Sequence, residues 1–149
     1  MPSQELPSYK KANLQMVAYR RIHAALSNLL ARFHLSTTQW IMLGLISESA
    51  AGLRITDMAR ALQVEMPLIT TTAQSLISAG LMKSTAHLRD KRAKLLTLTP
   101  RGKDCVDEVE LHLSLMMQKL EQGADAHEIN TYFKLLQQLG KNASAVGLA

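Results

Sequence analysis

The chain is short of several things, and each shortage narrows what it can be. It has one cysteine, Cys105, in 149 residues. It can therefore close no internal disulfide and cannot supply a cysteine-based zinc cluster, which excludes the disulfide-stapled secreted scaffolds. Aromatic residues make up only 4%, too few for a rich stacking cage around a planar ligand. No apolar run approaches the roughly 18 to 20 residues of a membrane span, and the stretch from Met1 to Lys11 is too polar for a signal peptide. These absences point to a soluble cytoplasmic protein with no membrane partner. The histidines His23, His34, His87, His112 and His127 are scattered, and no HExxH, phosphate-loop or Ser-His-Asp arrangement is visible. The expectation is a protein that is not an enzyme and carries no metal or cofactor.

Acidic residues are also in deficit, 12 against 17 Lys plus Arg, for a formal net charge of +5. The imbalance is local. Residues Met1 to Met82 carry 7 basic and 4 acidic side chains, Lys83 to Lys103 carry 7 and 1, and Asp104 to Ala149 carry 3 and 7. With 47% hydrophobic and 19% charged residues the composition is that of a folded domain, and the cluster between Lys83 and Lys103 is either a surface suited to anionic partners or a solvated charged loop.

Periodicity gives the element order. From Tyr9 to Phe33, Leu14, Ala18, Ile22, Ala25, Leu26, Leu29 and Phe33 recur at helical spacing, which predicts one long amphipathic helix. Ser36 with Gln39 has the form of a capping box ahead of a short apolar helix from Trp40 to Ile46. Thr56 is expected to cap a third helix ending at Leu62, and Pro67 suits the first turn of a fourth that stops at Gly80. The period then changes to alternation, with strand character from Leu81 to Leu88 and from Lys94 to Thr99 around a charged tip. Thr99-Pro100 opens a fifth helix bearing Val106, Val109, Leu113, Met116, Met117 and Leu120 on one face. Asp125 with Glu128 opens a sixth bearing Ile129, Tyr132, Phe133, Leu136 and Leu139, ahead of a polar tail from Asn142. The predicted fold class is mainly α with a small two-stranded β-hairpin wing: a winged helix-turn-helix over 36–99, flanked by helices over 9–34 and 100–141 whose apolar faces must pack on each other or on a second copy.

Asp57 to Val64, Pro67 to Leu76, Ala79-Gly80-Leu81, and Asp90 to Lys94 running into Leu96 to Gly102 resemble the MarR family of winged-helix transcriptional regulators. The resemblance covers nearly the whole chain, read as a single MarR-like domain over 1–149. Its most specific part is the wing segment following the helix-turn-helix. It implies an obligate homodimer that binds a pseudo-palindromic operator on double-stranded DNA, usually as a repressor released by a small-molecule effector or by oxidation.

Within the fourth helix, Ile69, Ala73, Leu76 and Ile77 fall on one arc and should face the core. Thr71, Gln74, Ser75 and Ser78 then point outward, with Leu68 and Thr70 on the flanks. The helix contains no Lys or Arg, so the bidentate Arg-to-guanine contact is not available from it. Thr methyl groups suit the thymine C5-methyl and Gln74 suits adenine, which predicts an A·T-rich operator read by Leu68, Thr70, Thr71 and Gln74. Arg89, Lys91 and Arg92 at the wing tip have the charge to enter a minor groove. The resemblance implies Arg92 as the inserted side chain, with Asp90 orienting it. Arg54, Lys83, Lys94 and the start of the Thr56 helix are candidate phosphate contacts. For an effector, the family's usual pocket would involve His23, Trp40, Leu43 and Met116. Two further readings stand beside this one: a winged-helix protein-interaction module without DNA binding, and redox sensing through Cys105 if Arg101, Lys103 and the helix N-terminus stabilise its thiolate.

Overall fold

The structure, a computed structural model, describes residues 5–86 and 94–147. Its elements are α1 (Ser8–Ala31), α2 (Thr37–Ser47), β1 (Leu53–Arg54), α3 (Ile55–Leu62), α4 (Met66–Ser78), β2 (Met82–Ala86), β3 (Lys94–Leu98), α5 (Pro100–Leu120) and α6 (Ala126–Val146). The chain divides into two compact units, Met1–Leu113 and Ser114–Ala149, and the division falls within α5.

Side-chain capping sets three of the helix starts. At α2 the Ser36 hydroxyl accepts from the Gln39 N–H at 3.1 Å while the Gln39 carboxamide oxygen accepts from the Ser36 N–H at 2.8 Å. Asp125 and Glu128 make the same reciprocal pair at α6, both at 2.8 Å. Thr99 caps α5 by accepting from the Gly102 N–H at 3.0 Å. Each such cap satisfies a backbone donor that the helix leaves unpaired and stabilises it by about 1 kcal/mol.

The expected cap of α3 is not made. Arg54 is the N-cap and its side chain forms no capping hydrogen bond; Thr56 lies inside the first turn. The reason is a strand that local sequence pattern does not reveal. Leu53 and Arg54 pair antiparallel with Leu96 and Leu95, so the backbone is held extended up to Arg54 and the helix begins where the ladder ends. The wing is therefore part of a three-stranded antiparallel sheet in the order β1-β3-β2 rather than a two-stranded hairpin alone. In the β2–β3 pair the register runs from Met82 opposite Leu98 to Ala86 opposite Lys94.

The core of the first unit is built from one face of each element. Leu30 of α1, Met42 and Leu43 of α2, Met58 of α3, Ile69 and Leu76 of α4, Met82 of β2, Leu96 of β3 and Val109 of α5 are all fully buried. Among the described residues no polar or charged residue is fully buried, so the unit rests on apolar burial, at about 25 cal/mol per Å². Ile77 departs from the expected arc and is 39% exposed, because it sits at the edge of the buried stripe in the last turn of α4. The sixth helix runs through Asn142 to Val146 instead of giving way to a tail. Lys141, Ala143 and Ala145 are good helix formers, and Gln138 donates to Asn142 at 2.9 Å along it.

Gly80 and Gly102 are required where α4, β2 and α5 meet. Gly80 has φ +75°, the left-handed conformation that ends a helix at low cost only for glycine. A Cβ at Gly102 would run into the Leu81 carbonyl and its backbone carbon, whereas one at Gly44 in α2 would meet nothing within 4 Å. Gly102→Ala should therefore destabilise the protein by about 3 kcal/mol, and Gly44→Ala should stabilise it by roughly 0.5–1 kcal/mol. Thermal unfolding of the two variants, with midpoints moving in opposite directions, checks the packing.

Candidate nucleic-acid interface

Helices α3 and α4 form a helix-turn-helix joined through Gln63, which adopts φ 57°. The Gln63 and Val64 N–H groups bond the Arg60 and Ala59 carbonyls at 3.3 and 3.2 Å, closing α3 so that the chain turns at once into α4. Helix α4 starts with Pro67 in its first turn and packs on α2, α3 and β2 through Ile69, Ala73 and Leu76, each 2% exposed or less. This anchoring fixes which side of α4 faces away.

The outward side is as the periodicity predicts. Thr71, Gln74, Ser75 and Ser78 are exposed, Thr70 is half-buried, and Leu68 is 49% exposed. The side chains Leu68, Thr70, Thr71 and Gln74 therefore share the free surface of one helix, over its first two and a half turns. Three hydroxyls on this helix are turned back onto its own backbone: Thr71 donates to the Pro67 carbonyl at 3.0 Å, Thr72 to Leu68 at 2.7 Å, and Ser75 to Thr72 at 2.7 Å. Ser75 also accepts from the Gln39 carboxamide at 2.9 Å. Gln39 thus does two things, closing the cap of α2 and bracing α4, and sequence reasoning saw only the first. The second links residues 36 apart in the chain, which no local pattern signals.

Around this helix, Arg54 is exposed at the junction of β1 and α3, and Thr56 is exposed in the first turn of α3. Lys83 and Lys94 are both exposed, but the register puts them on opposite faces of the hairpin: Lys83 is opposite Thr97, while Lys94 shares the face of Met82, Leu96 and Leu98. Arg89, Asp90, Lys91 and Arg92 lie outside the described residues, as does His87.

The residues expected near an effector are not gathered at either of two clefts in the first unit. His23 is exposed, its ring stacked on Tyr19 with centroids 5.6 Å apart; Trp40 is half-buried; Leu43 is fully buried in the core. Met116 is half-buried in the second unit. One cleft, of about 510 Å³, is lined by Ile46, Glu48, Thr97, Lys103 and Asp107 among others. The other, of about 350 Å³, is lined by Phe33, His34, Gln39, Arg101, Cys105 and Glu108 among others. Among the described residues no group of three or more His, Cys, Asp or Glu is arranged to hold a metal ion, and no helix is long and apolar enough to cross a membrane.

Residues 35–94 match the family model described as the MarR family. That segment is thus similar to the MarR family. It spans the helix-turn-helix and most of the sheet. The whole fold is similar to solved structures of the same kind. A transcriptional regulator (MarR family) from Rhodococcus sp. RHA1 aligns with a TM-score of 0.79 at 21% identity, over 92% of this chain and 96% of that one. CouR from Rhodococcus jostii RHA1 bound to p-coumaroyl-CoA aligns with a TM-score of 0.80 at 22% identity, over 92% and 95%. A mutant MarR from E.coli complexed with operator DNA aligns with a TM-score of 0.76 at 22% identity, over 86% and 91%. The fold of this chain is thus the MarR winged-helix fold, and its α4 takes the second-helix position of a helix-turn-helix.

Cys105, near the start of α5, bears on the redox reading. Burial and the neighbouring Glu108 carboxylate raise the thiol above its ordinary range, and Arg101 only partly opposes them. The thiolate is disfavoured rather than stabilised, which counts against redox sensing through Cys105. Alkylation of Cys105 by iodoacetamide should be slow near pH 7, with a pH midpoint above that of a free thiol. A midpoint below that of a free thiol would restore the redox reading.

Proposed function

We propose that the protein is a homodimeric, sequence-specific DNA-binding transcriptional regulator, acting as a repressor at a pseudo-palindromic, A·T-rich operator and released by a small-molecule effector. The observation that carries this reading is the exposed side of α4, with Leu68, Thr71 and Gln74 on a helix anchored from behind by Ile69, Ala73 and Leu76. It occurs in the segment that matches the MarR family model, and one similar structure is a complex with operator DNA. In this reading α4 enters the major groove and Leu68, Thr70, Thr71 and Gln74 meet base edges. Arg92, oriented by Asp90, enters the minor groove beside Arg89 and Lys91, while Arg54, Thr56, Lys83 and Lys94 meet phosphates.

Dimerisation is supported by apolar surface left uncovered in the single chain. On α1, Tyr9, Leu14 and Tyr19 are 60–71% exposed; on α6, Phe133, Leu136 and Leu139 are 47–54% exposed, and no residue of α6 is buried. Surface of this kind on a helix is ordinarily covered by a partner. Effector release is supported by the similar structure bound to p-coumaroyl-CoA; His23 and Trp40 are the contacts proposed for it in this chain.

The test is a mobility-shift titration against duplexes selected from a random pool, at two salt concentrations. Binding should weaken with salt, and Arg92→Ala should reduce both the affinity and the slope of log K against log[salt], by about 0.9 for each phosphate that is no longer neutralised. The selected consensus should have A·T pairs at half-site centres about ten base pairs apart. Essential G·C pairs there would overturn the assigned base readers. The absence of any shifted duplex at low salt would favour a protein-interaction module instead.

A further inference from the structure

We infer that α4 discriminates DNA sequence by apolar contact with thymine C5-methyl groups through the Thr71 methyl and Leu68, and not by hydrogen bonds from its hydroxyls. The inference rests on the DNA-binding reading above and adds to it the physical mode of recognition. Its basis is where the hydroxyl hydrogens already are. Thr71 donates to the Pro67 carbonyl at 3.0 Å. A threonine whose Oγ1 is folded back against the preceding turn leaves its Cγ2 in another staggered position, away from that carbonyl. Ser75, the next exposed hydroxyl on this side, is occupied twice, donating to Thr72 at 2.7 Å and accepting from Gln39 at 2.9 Å. Thr72 on the flank donates to Leu68 at 2.7 Å.

Magnitudes decide between the two modes. For Thr71 to donate to thymine O4 or a purine N7 it must give up its bond to Pro67, exchanging one neutral hydrogen bond for another with little net gain. Covering a thymine methyl needs no such exchange. Leu68, 49% exposed, lies on the same side one turn earlier, so the two side chains offer a continuous apolar strip at the start of the helix. The helix has no Lys or Arg to outweigh this contribution. The folded-back Thr71 hydroxyl can then only accept, whereas the Gln74 carboxamide both donates and accepts and matches adenine N6 and N7.

Deoxyuridine provides the test, because it removes only the C5-methyl of thymine and keeps the O4 acceptor and the base pairing. A duplex recovered by selection is compared with copies in which the half-site thymines are replaced one at a time by deoxyuridine, using wild type, Thr71→Ser and Thr71→Val. At contacted positions wild-type binding should weaken about four-fold per methyl removed. Thr71→Ser, which lacks the methyl and keeps the hydroxyl, should lose most of that penalty; Thr71→Val, which keeps a methyl and lacks the hydroxyl, should retain it whatever its absolute affinity. Equal binding of every deoxyuridine duplex, or a penalty that Thr71→Val abolishes and Thr71→Ser keeps, overturns the inference while leaving DNA binding intact. If no selected duplex is bound by wild type, the functional reading itself falls and this inference with it.

Discussion

Thr99 holds two strands of backbone at once. Its hydroxyl donates to the Gly80 carbonyl at 2.6 Å and accepts from the Gly102 N–H at 3.0 Å, while its own N–H bonds the Leu81 carbonyl at 3.2 Å. The start of α5 is thereby fastened to the turn that ends α4. The fastening works only because Gly80 accepts a left-handed φ and Gly102 leaves room for the Leu81 carbonyl. Leu81 and Met82, just beyond the turn, are buried in the core, so the joint is also where the sheet is hung. The orientation of α4, the position of the wing strands and the entry of α5 all depend on this cluster of bonds around Thr99.

Much of this was legible because it is local. Ser36 with Gln39, Asp125 with Glu128, Pro67, Gly80 and Thr99-Pro100 are punctuation that acts within four residues, and each marks a boundary close to where the structure has one. The buried arc Ile69, Ala73 and Leu76 was likewise readable from spacing alone. What escaped is non-local or too short to have a period. Leu53 and Arg54 make a strand of two residues, whose only cause is pairing with β3 on the far side of the helix-turn-helix. The same pairing displaced the expected cap from Thr56. The brace from Gln39 to Ser75 and the folded-back hydroxyls of Thr71 and Thr72 depend on tertiary contact and rotamer, which sequence spacing does not encode. The spacing of Cys105 and Glu108 on a predicted helix was readable, but not the burial that is the first cause of the raised thiol.

The distribution of charge also takes on a clearer meaning. The segment from Lys83 to Lys103 holds most of the basic excess, yet α4 has none of it. In the DNA-binding reading, attraction to the polyanion and discrimination among sequences then reside on different elements: cationic side chains of the sheet and its edges supply the first, and a neutral helix surface the second. Counterion release governs one and surface dehydration the other. Salt therefore acts chiefly on attraction, and temperature on discrimination.

The joint at Thr99 has a mechanical consequence. It grips α4 at its C-terminal end, whereas the residues assigned to base edges are near its other end. Thirteen residues at about 1.5 Å each make an arm of roughly 20 Å. A rotation of about 10° about the joint would sweep the tip of that arm through roughly 3.4 Å, the rise of about one base pair. In the DNA-binding reading, a small tilt of α5 at its first turn, carried through the three hydrogen bonds of Thr99, would be magnified into a shift of one step along a duplex.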